Sequence, residues 1–376
     1  LCRHLLHQGA RVVVIDDFSS GRRENVDALL QDPLHRRALT VIEADVRDAL
    51  DDLVGEPFDE IYHLAAKVGV RLVLSNPIAA AETNFDCTTR VLRFAVEAAR
   101  NHGKAPATLL ASSSEVYGQP DKLPSAEDDG GRYGPTTARR WSYALCKALN
   151  EHMGMAYHEE HGLPVVIARF FNTVGPGQMG TYGMVLPRFV SAALWGHPLE
   201  VHGDGRQIRC FCDVRDATPA VVELLRRPEC AGGIYNVGSD RTISIIDLAR
   251  LVTRLTGSSS EIRLVPYESV YGAGFEDARE RKPDLGRLRR AIGFRERWSL
   301  EDTIRDLAAW IREEAVSEDA RARIGSRVAT PGANGTHVEP PAVIEPRTAG
   351  AGAAQAALRF SAVRRSFRLA SARPRS

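Results

Sequence analysis

The sequence predicts an α/β protein built on a doubly wound parallel sheet, with a smaller, partly interleaved domain after it. Three observations carry this. Five apolar segments, "RVVVIDD", "LTVIEADVRD", "EIYHLAA", "ATLLASSSEVYG" and "PVVIARFFN", are separated by helical stretches. The segments are apolar throughout rather than alternating, as strands are when helices cover both faces of a sheet. Near Gly175 the texture changes to a Gly-rich loop, "GPGQMGTYGM", followed by shorter strands and helices.

The elements follow in order. In "LCRHLLHQGA", Leu1, Leu5 and Leu6 share one helical face. "RVVVIDD" then reads as a buried strand ending in Asp16 and Asp17. A helix feeding such a strand is the second half of a βαβ unit. A first strand and its Gly-rich turn are therefore expected upstream of Leu1, roughly 15–20 residues by the usual size of the unit. In a dinucleotide-binding unit, the acid ending the second strand accepts hydrogen bonds from the adenosine ribose. It would repel a 2′-phosphate, which favours NAD over NADP. Asp16 and Asp17 are the candidates, although a turn or a helix cap uses the same residues.

Two long helices are expected, at "AETNFDCTTRVLRFAVEAARNHG" and "RRWSYALCKALNEHMGMAYHEEHG". In the second, Tyr143 and Lys147 stand four apart and share a face. An ammonium near a phenol lowers the phenol pKa. Such a Tyr can take a proton from a sugar hydroxyl while the carbon gives hydride to a nicotinamide. The spacing alone is common on helices. The strand "LLASSSEVYG" adds weight, because a hydroxyl at the C-terminal end of a parallel strand lies where ligands bind.

Residues 1–174 are read as the dinucleotide-binding domain and 175–314 as the smaller one. Residues 315–376, rich in Ala, Pro, Gly and Arg without an apolar period, read as a disordered tail. A net charge of +1 gives no reason to expect nucleic acid or a membrane surface as partner. No apolar run approaches the roughly 18 residues of a membrane-spanning helix. Six scattered cysteines suit a reduced, cytoplasmic protein, and Cys210 and Cys212 have neither a redox nor a zinc spacing. No metal is expected.

At these motifs the chain resembles the extended short-chain dehydrogenase/reductases, in the NAD-dependent nucleotide-sugar epimerase/dehydratase group. The resemblance runs from about Leu1 to Ile311 and implies a Rossmann-type fold. "VVVIDDFSSGRRENV" resembles the acidic end of the family's second strand. "EADVRD" implies Asp45 and Val46 beside the adenine. "HLAA" implies Leu64, Ala65 and Ala66 under the nicotinamide half, and Asn84 takes a structural position. Ser113 falls where the family has its catalytic Ser or Thr, and Tyr143 and Lys147 match its active-site pair, which also touches NAD. "RFFNTVGPGQ" implies Asn172 as a sugar-nucleotide contact. "GDGRQIRCF" and "ERKPD" imply Arg209 and Arg281 on the diphosphate, for which guanidinium forks are suited. Cys146 stands where the family usually has Ser.

The resemblance implies oxidation of a nucleotide sugar at C4. Its 4-keto product can then be re-reduced on the opposite face, decarboxylated, or dehydrated. "SSEVYG", with Glu115, resembles the "TSEVYG" of decarboxylases, and "RRWSY" points the same way. A UDP-glucuronate decarboxylase is therefore expected first and a UDP-sugar 4-epimerase second. A 4,6-dehydratase would need an Asp where Ser114 stands. A dinucleotide-binding protein without chemistry is argued against by the intact Ser113, Tyr143 and Lys147. The resemblance also implies a homodimer through the two long helices.

Overall fold

The computed structural model describes residues 1–178, 180, 183–272 and 277–328, and the side chains of these apart from residues 70, 71 and 317–328. Most of the expected tail, residues 329–376, lies outside the described residues. The chain packs as two units, Leu1–Glu313 and Glu314–Ser376. The first unit holds the strands and their cores.

The first half of that unit runs α1 (Cys2–His7), β1 (Val12–Asp16), α2 (Glu24–Leu30), α3 (Pro33–Arg36), β2 (Leu39–Glu43), α4 (Val46–Ala49), β3 (Glu60–His63), α5 (Val70–Ser75), α6 (Pro77–His102), β4 (Ala107–Ser113), α7 (Ser142–His161) and β5 (Val165–Phe170). The second half runs β6 (Thr173–Val174), α8 (Val185–Leu194), β7 (Leu199–His202), β8 (Ile208–Cys210), β9 (Cys212–Asp213), α9 (Val214–Arg226), β10 (Gly233–Val237), β11 (Thr242–Ser244), α10 (Ile245–Thr256), β12 (Ile262–Val265), α11 (Tyr267–Tyr271), α12 (Gly286–Ile292) and the start of α13 (Leu300–Val328).

The five strands expected from the apolar segments are β1 to β5. β1 pairs β2, and β3, β4, β5 and β10 form a four-stranded sheet, all parallel. Among the described residues no ladder joins β1 to β3. Alternate residues of β4 and β5 explain why the segments lack a polar face. Leu110, Val165 and Ile167 pack with Leu92 and Ala95 of α6. Leu109, Val166 and Ala168 pack on the other side with Ala217, Val221 and Leu224 of α9. Each fully buried Leu, Ile or Val contributes roughly 1.5–3 kcal/mol. The sheet is thus covered on both faces, as a doubly wound architecture requires. β10 and α9 come from the later half of the chain yet complete this first layer. Leu186, Phe189, Leu199, Val201, Leu248, Val252, Ile304 and Leu307 form a second core under the short strands.

The two long helices end as their sequences direct. α6 starts with Pro77 in its first turn and stops at Gly103 (φ 70°), and α7 stops at Gly162 (φ 64°), both left-handed. Gly154 lies inside α7, where glycine costs about 0.5–1 kcal/mol relative to alanine. A Cβ there would stand 2.6 Å from Leu110 Cδ1 and 3.3 Å from Val165 Cγ1. The absent side chain lets α7 lie directly on β4 and β5.

Candidate active site

The expected site residues come from the C-terminal ends of the parallel strands and from α7, which β4 and β5 support. Ser113 ends β4 and caps the 3-10 turn Ser114–Tyr117, its Oγ accepting from the Glu115 backbone N–H at 3.2 Å. The Ser113 side chain also hydrogen-bonds the Tyr143 phenol. Ser113, Glu115, Tyr143, Asn172, Arg209, Arg281 and Leu64 all line one cavity of about 540 Å³. Asn172 donates from Nδ2 to the Cys210 carbonyl at 2.7 Å.

Lys147 sits behind Tyr143 rather than in the cavity wall. Its Nζ lies 5.9 Å from the centre of the Tyr143 ring and donates to the Ala111 carbonyl at 2.7 Å. Burial pulls the ammonium down to a pKa of about 8. Burial pushes the Tyr143 phenol up, and the Glu115 charge pushes the same way. The Ser113 hydrogen bond opposes both and is outweighed. The Lys147 ammonium addresses the β4 backbone, and the Glu115 charge acts on the phenol from the cavity side.

Glu115 is the centre of a buried ion cluster. Arg281 Nη1 lies 2.5 Å from Glu115 Oε1, and Arg140 Nη1 lies 2.7 Å from Oε2. Asp277 links the cluster outward, 2.7 Å from Arg209 Nη2, 3.6 Å from Arg140 Nη2 and 3.8 Å from Arg281 Nη2. Burial alone would raise Glu115, but Arg281 and Arg140 outweigh it and hold the carboxyl at about 2. Glu115 is therefore a fixed negative charge at neutral pH. The Nε and Nη2 of Arg281 are buried and have no hydrogen-bond acceptor among the described residues. Sequence reasoning placed Glu115, Arg209 and Arg281 but missed Asp277 and assigned no role to Arg140. The signal for Arg140 was its place three residues before Tyr143, which brings it to the same end of α7.

Apart from Leu64, the remaining expected residues form a second row outside this cavity. Asp16 and Asp17 are exposed at the end of β1. Asp16 accepts from the Phe18 N–H at 2.8 Å and Asp17 from the Ser19 N–H at 3.0 Å. Asp45 caps α4 through the Arg47 N–H, and its bond to the Arg47 side chain lowers its pKa. Val46 begins α4. Leu64 and Ala65 are exposed directly after β3, with Ala66 half-buried beside them. Buried Asn84 shapes this turn. Its Oδ1 accepts from the Lys67 N–H at 2.8 Å, and its Nδ2 donates to the Lys67 carbonyl at 3.2 Å. Lys67, which the sequence did not flag, reaches back to Ser19 Oγ at 2.6 Å.

His63, at the end of β3, is buried against Thr88. Burial, aided by the Lys147 charge, holds it at about 3. An unfolded chain protonates this histidine near 6.5, so between about 6.5 and 3 the unfolded state binds more protons and stability falls on acidification. Glu115 adds a second loss as pH falls from its ordinary 4.5 toward 2. We expect the thermal midpoint to drop below pH 6.5 and more steeply below 4.5. In melts across this range, His63→Asn should flatten the upper limb; an unchanged limb would show that His63 does not carry it.

Among the described residues no group of His, Cys, Asp or Glu could hold a metal ion, and no helix is long and apolar enough to cross a membrane.

The chain has many relatives among known proteins. The sequence pattern of the NAD dependent epimerase/dehydratase family matches residues 1–238. The chain is 37% identical over 316 residues to a UDP-N-acetyl-alpha-D-glucosaminuronate decarboxylase of Bacillus cytotoxicus, covering 83% of this chain and 94% of that one. It is 32% identical to UDP-glucuronic acid decarboxylase 1 of Xenopus tropicalis, covering 82% of this chain and 68% of the relative. Among solved structures it is similar to a UDP-glucuronic acid 4-epimerase of Bacillus cereus in complex with UDP-glucuronic acid and NAD. There the TM-score is 0.72 at 25% identity, over 83% of this chain and 95% of that one. The family match spans the expected strand ends and the Ser113–Tyr143 pair, and the chain belongs to the NAD-dependent epimerase/dehydratase family of enzymes.

Proposed function

We propose that this enzyme decarboxylates a UDP-linked hexuronate through a 4-keto intermediate. The likeness to the 37% and 32% identical relatives, both named as uronate decarboxylases, carries the choice among the family's reactions. Beside Ser113 and Tyr143, among the described residues, three buried arginines (Arg140, Arg209, Arg281) face two carboxylates (Glu115, Asp277). Buried positive charge calls for an anion, and the diphosphate supplies it, so the cluster supports a UDP-sugar substrate rather than one reaction over another.

The cofactor is NAD, and the second row of residues fits it. The exposed carboxylates of Asp16 and Asp17 would hold the ribose hydroxyls, Asp45 and Val46 the adenine side, and Leu64, Ala65 and Ala66 the nicotinamide side. All lie just outside the carboxyl ends of parallel strands, where such ligands bind. NAD supplies, when bound, a reversible hydride acceptor.

In this reading Tyr143 acts as the phenolate, a form that the positive charge of bound NAD would favour against burial and the Glu115 charge, and it takes the proton of the C4 hydroxyl, oriented by Ser113, as hydride leaves C4. The resulting C4 ketone is β to the C6 carboxylate. The electrons of the C5–C6 bond then move into the ketone, and carbon dioxide departs. Ser113 and Tyr143 hydrogen-bond the enolate oxygen. A proton from water is added at C5, and hydride returns to C4 as Tyr143 gives its proton back to the C4 oxygen, which leaves the UDP-pentose. Lys147 anchors α7 to β4 behind Tyr143, Asn172 contacts the nucleotide sugar, and Arg209 and Arg281 hold the diphosphate.

A second reading is 4-epimerisation, in which Glu115, held at about 2 and ionised at neutral pH, serves only as a fixed charge. Epimerisation needs only the Ser113, Tyr143 and Lys147 set. The test is to supply UDP-glucuronate and UDP-N-acetylglucosaminuronate with NAD and follow products by mass spectrometry and NMR. We expect loss of carbon dioxide from one of them. An unchanged mass with an inverted C4 hydroxyl would replace this reading by the second.

We also propose a homodimer through α6 and α7, where Leu145 and Leu149 are 40% and 47% exposed. Light scattering should give the mass of two chains, and a monomer would reject it. The six unbridged cysteines are in keeping with the cytoplasm as its place.

A further inference from the structure

Asn236, in β10, is fully buried, and its side chain has three hydrogen bonds. Its Oδ1 accepts from the Tyr117 hydroxyl at 2.7 Å. Its Nδ2 donates to the Ser125 carbonyl at 2.9 Å and the Asp284 carbonyl at 3.1 Å. Its backbone N–H donates to Glu127 Oε1 at 2.9 Å. These partners lead to the two halves of the ion cluster. Tyr117 closes the 3-10 turn that carries Glu115. Ser125 is bonded on both sides of Pro283, through its own N–H to the Lys282 carbonyl and through its carbonyl to the Asp284 N–H, each at 2.8 Å. That segment carries Arg281.

We propose that Asn236 is a positioning residue that sets the distance between Glu115 and Arg281. It touches neither substrate nor cofactor. It holds the Glu115 turn through one side-chain atom and the Arg281 segment through the other. The two segments lie far apart in sequence, and a fully buried amide has no water to exchange with. Losing Asn236 removes one hydrogen bond from the Tyr117 hydroxyl and one from each of the Ser125 and Asp284 carbonyls, and frees both segments to shift. Arg281 lines the cavity with Nε and Nη2 lacking hydrogen-bond acceptors among the described residues, and it then presents those donors in the wrong place.

This inference rests on the proposed role of Arg281 in binding the UDP-sugar. The test is a double-mutant cycle of Asn236→Ala and Arg281→Ala, read on UDP-glucuronate affinity by calorimetry, on kcat and KM, and on thermal midpoint. Displacement of about 1 Å can cost about 10²-fold, so Asn236→Ala should weaken affinity and kcat/KM by about that factor in the native background. In the Arg281→Ala background it should add almost nothing, while lowering the midpoint equally in both. Losses that multiply would make Asn236 a core residue only and overturn the inference. If Asn236→Ala does not fold, Tyr117→Phe, which removes one bond, carries the same cycle with the same two outcomes. Native protein that binds UDP-glucuronate without decarboxylating it would sink the proposed reaction, yet the affinity cycle would still decide on Asn236.

Discussion

Tyr143→Phe should lower kcat by about 10²–10⁴-fold, the range expected when one positioned acid–base group is removed, and leave UDP-sugar affinity nearly intact. The phenol is the group hydrogen-bonded to Ser113 at the end of β4. The diphosphate contacts proposed for Arg209 and Arg281 do not involve it. The loss should therefore appear in kcat and not in the dissociation constant measured by calorimetry. Both half-reactions, oxidation at C4 and the return of hydride, pass through this hydroxyl, so transient reduction of NAD should slow with turnover. A variant that kept full turnover would remove Tyr143 from the chemistry.

The second large effect is on stability. Arg169, in β5, grips Glu151 of α7 with a fork, Nε to Oε1 at 2.9 Å and Nη2 to Oε2 at 2.7 Å. The Ser112 hydroxyl donates to the same carboxylate, and Arg169 Nη1 donates to the Glu127 carbonyl at 2.9 Å. All three side chains are buried. Removing one partner of such a pair strands the other, which costs about 3–5 kcal/mol. Glu151→Ala should lose that much in urea denaturation. Glu151→Leu combined with Arg169→Met should recover most of it, since apolar replacement of both partners is close to neutral. A single variant within about 0.5 kcal/mol of the native protein, the range of an ordinary surface substitution, would mean that the pair contributes nothing.

The sheet was legible in the sequence because burial on both faces leaves a plain mark: β4 and β5 have no polar face, and alternate residues meet α6 or α9. The Ser113–Tyr143 contact was legible because both lie on regular elements whose spacing fixes their direction. The ion cluster was harder to read. Glu115, Arg140, Asp277 and Arg281 come from segments that only the tertiary fold brings together, and no local period marks them. Nor could a spacing of four residues report which acceptor the Lys147 ammonium would choose. That choice depends on the Ala111 carbonyl across the helix–sheet interface. Asn236 gave no signal, because a polar residue inside an apolar strand discloses neither its partners nor its reach.

The glycine inside α7 has a consequence for how the protein could be altered. With backbone resting on strand side chains at Gly154, a side chain added there would press against Leu110 and Val165 and lift the helix from the sheet. Tyr143 rides on that helix and Ser113 on that sheet, so their separation is a datum of the scaffold. Redesign of substrate range should leave this wall untouched and work on the one across the cavity, where Arg188, His202, Tyr267 and Tyr271 line the space. Side chains there can be exchanged for shape and polarity without moving the pair that transfers the proton.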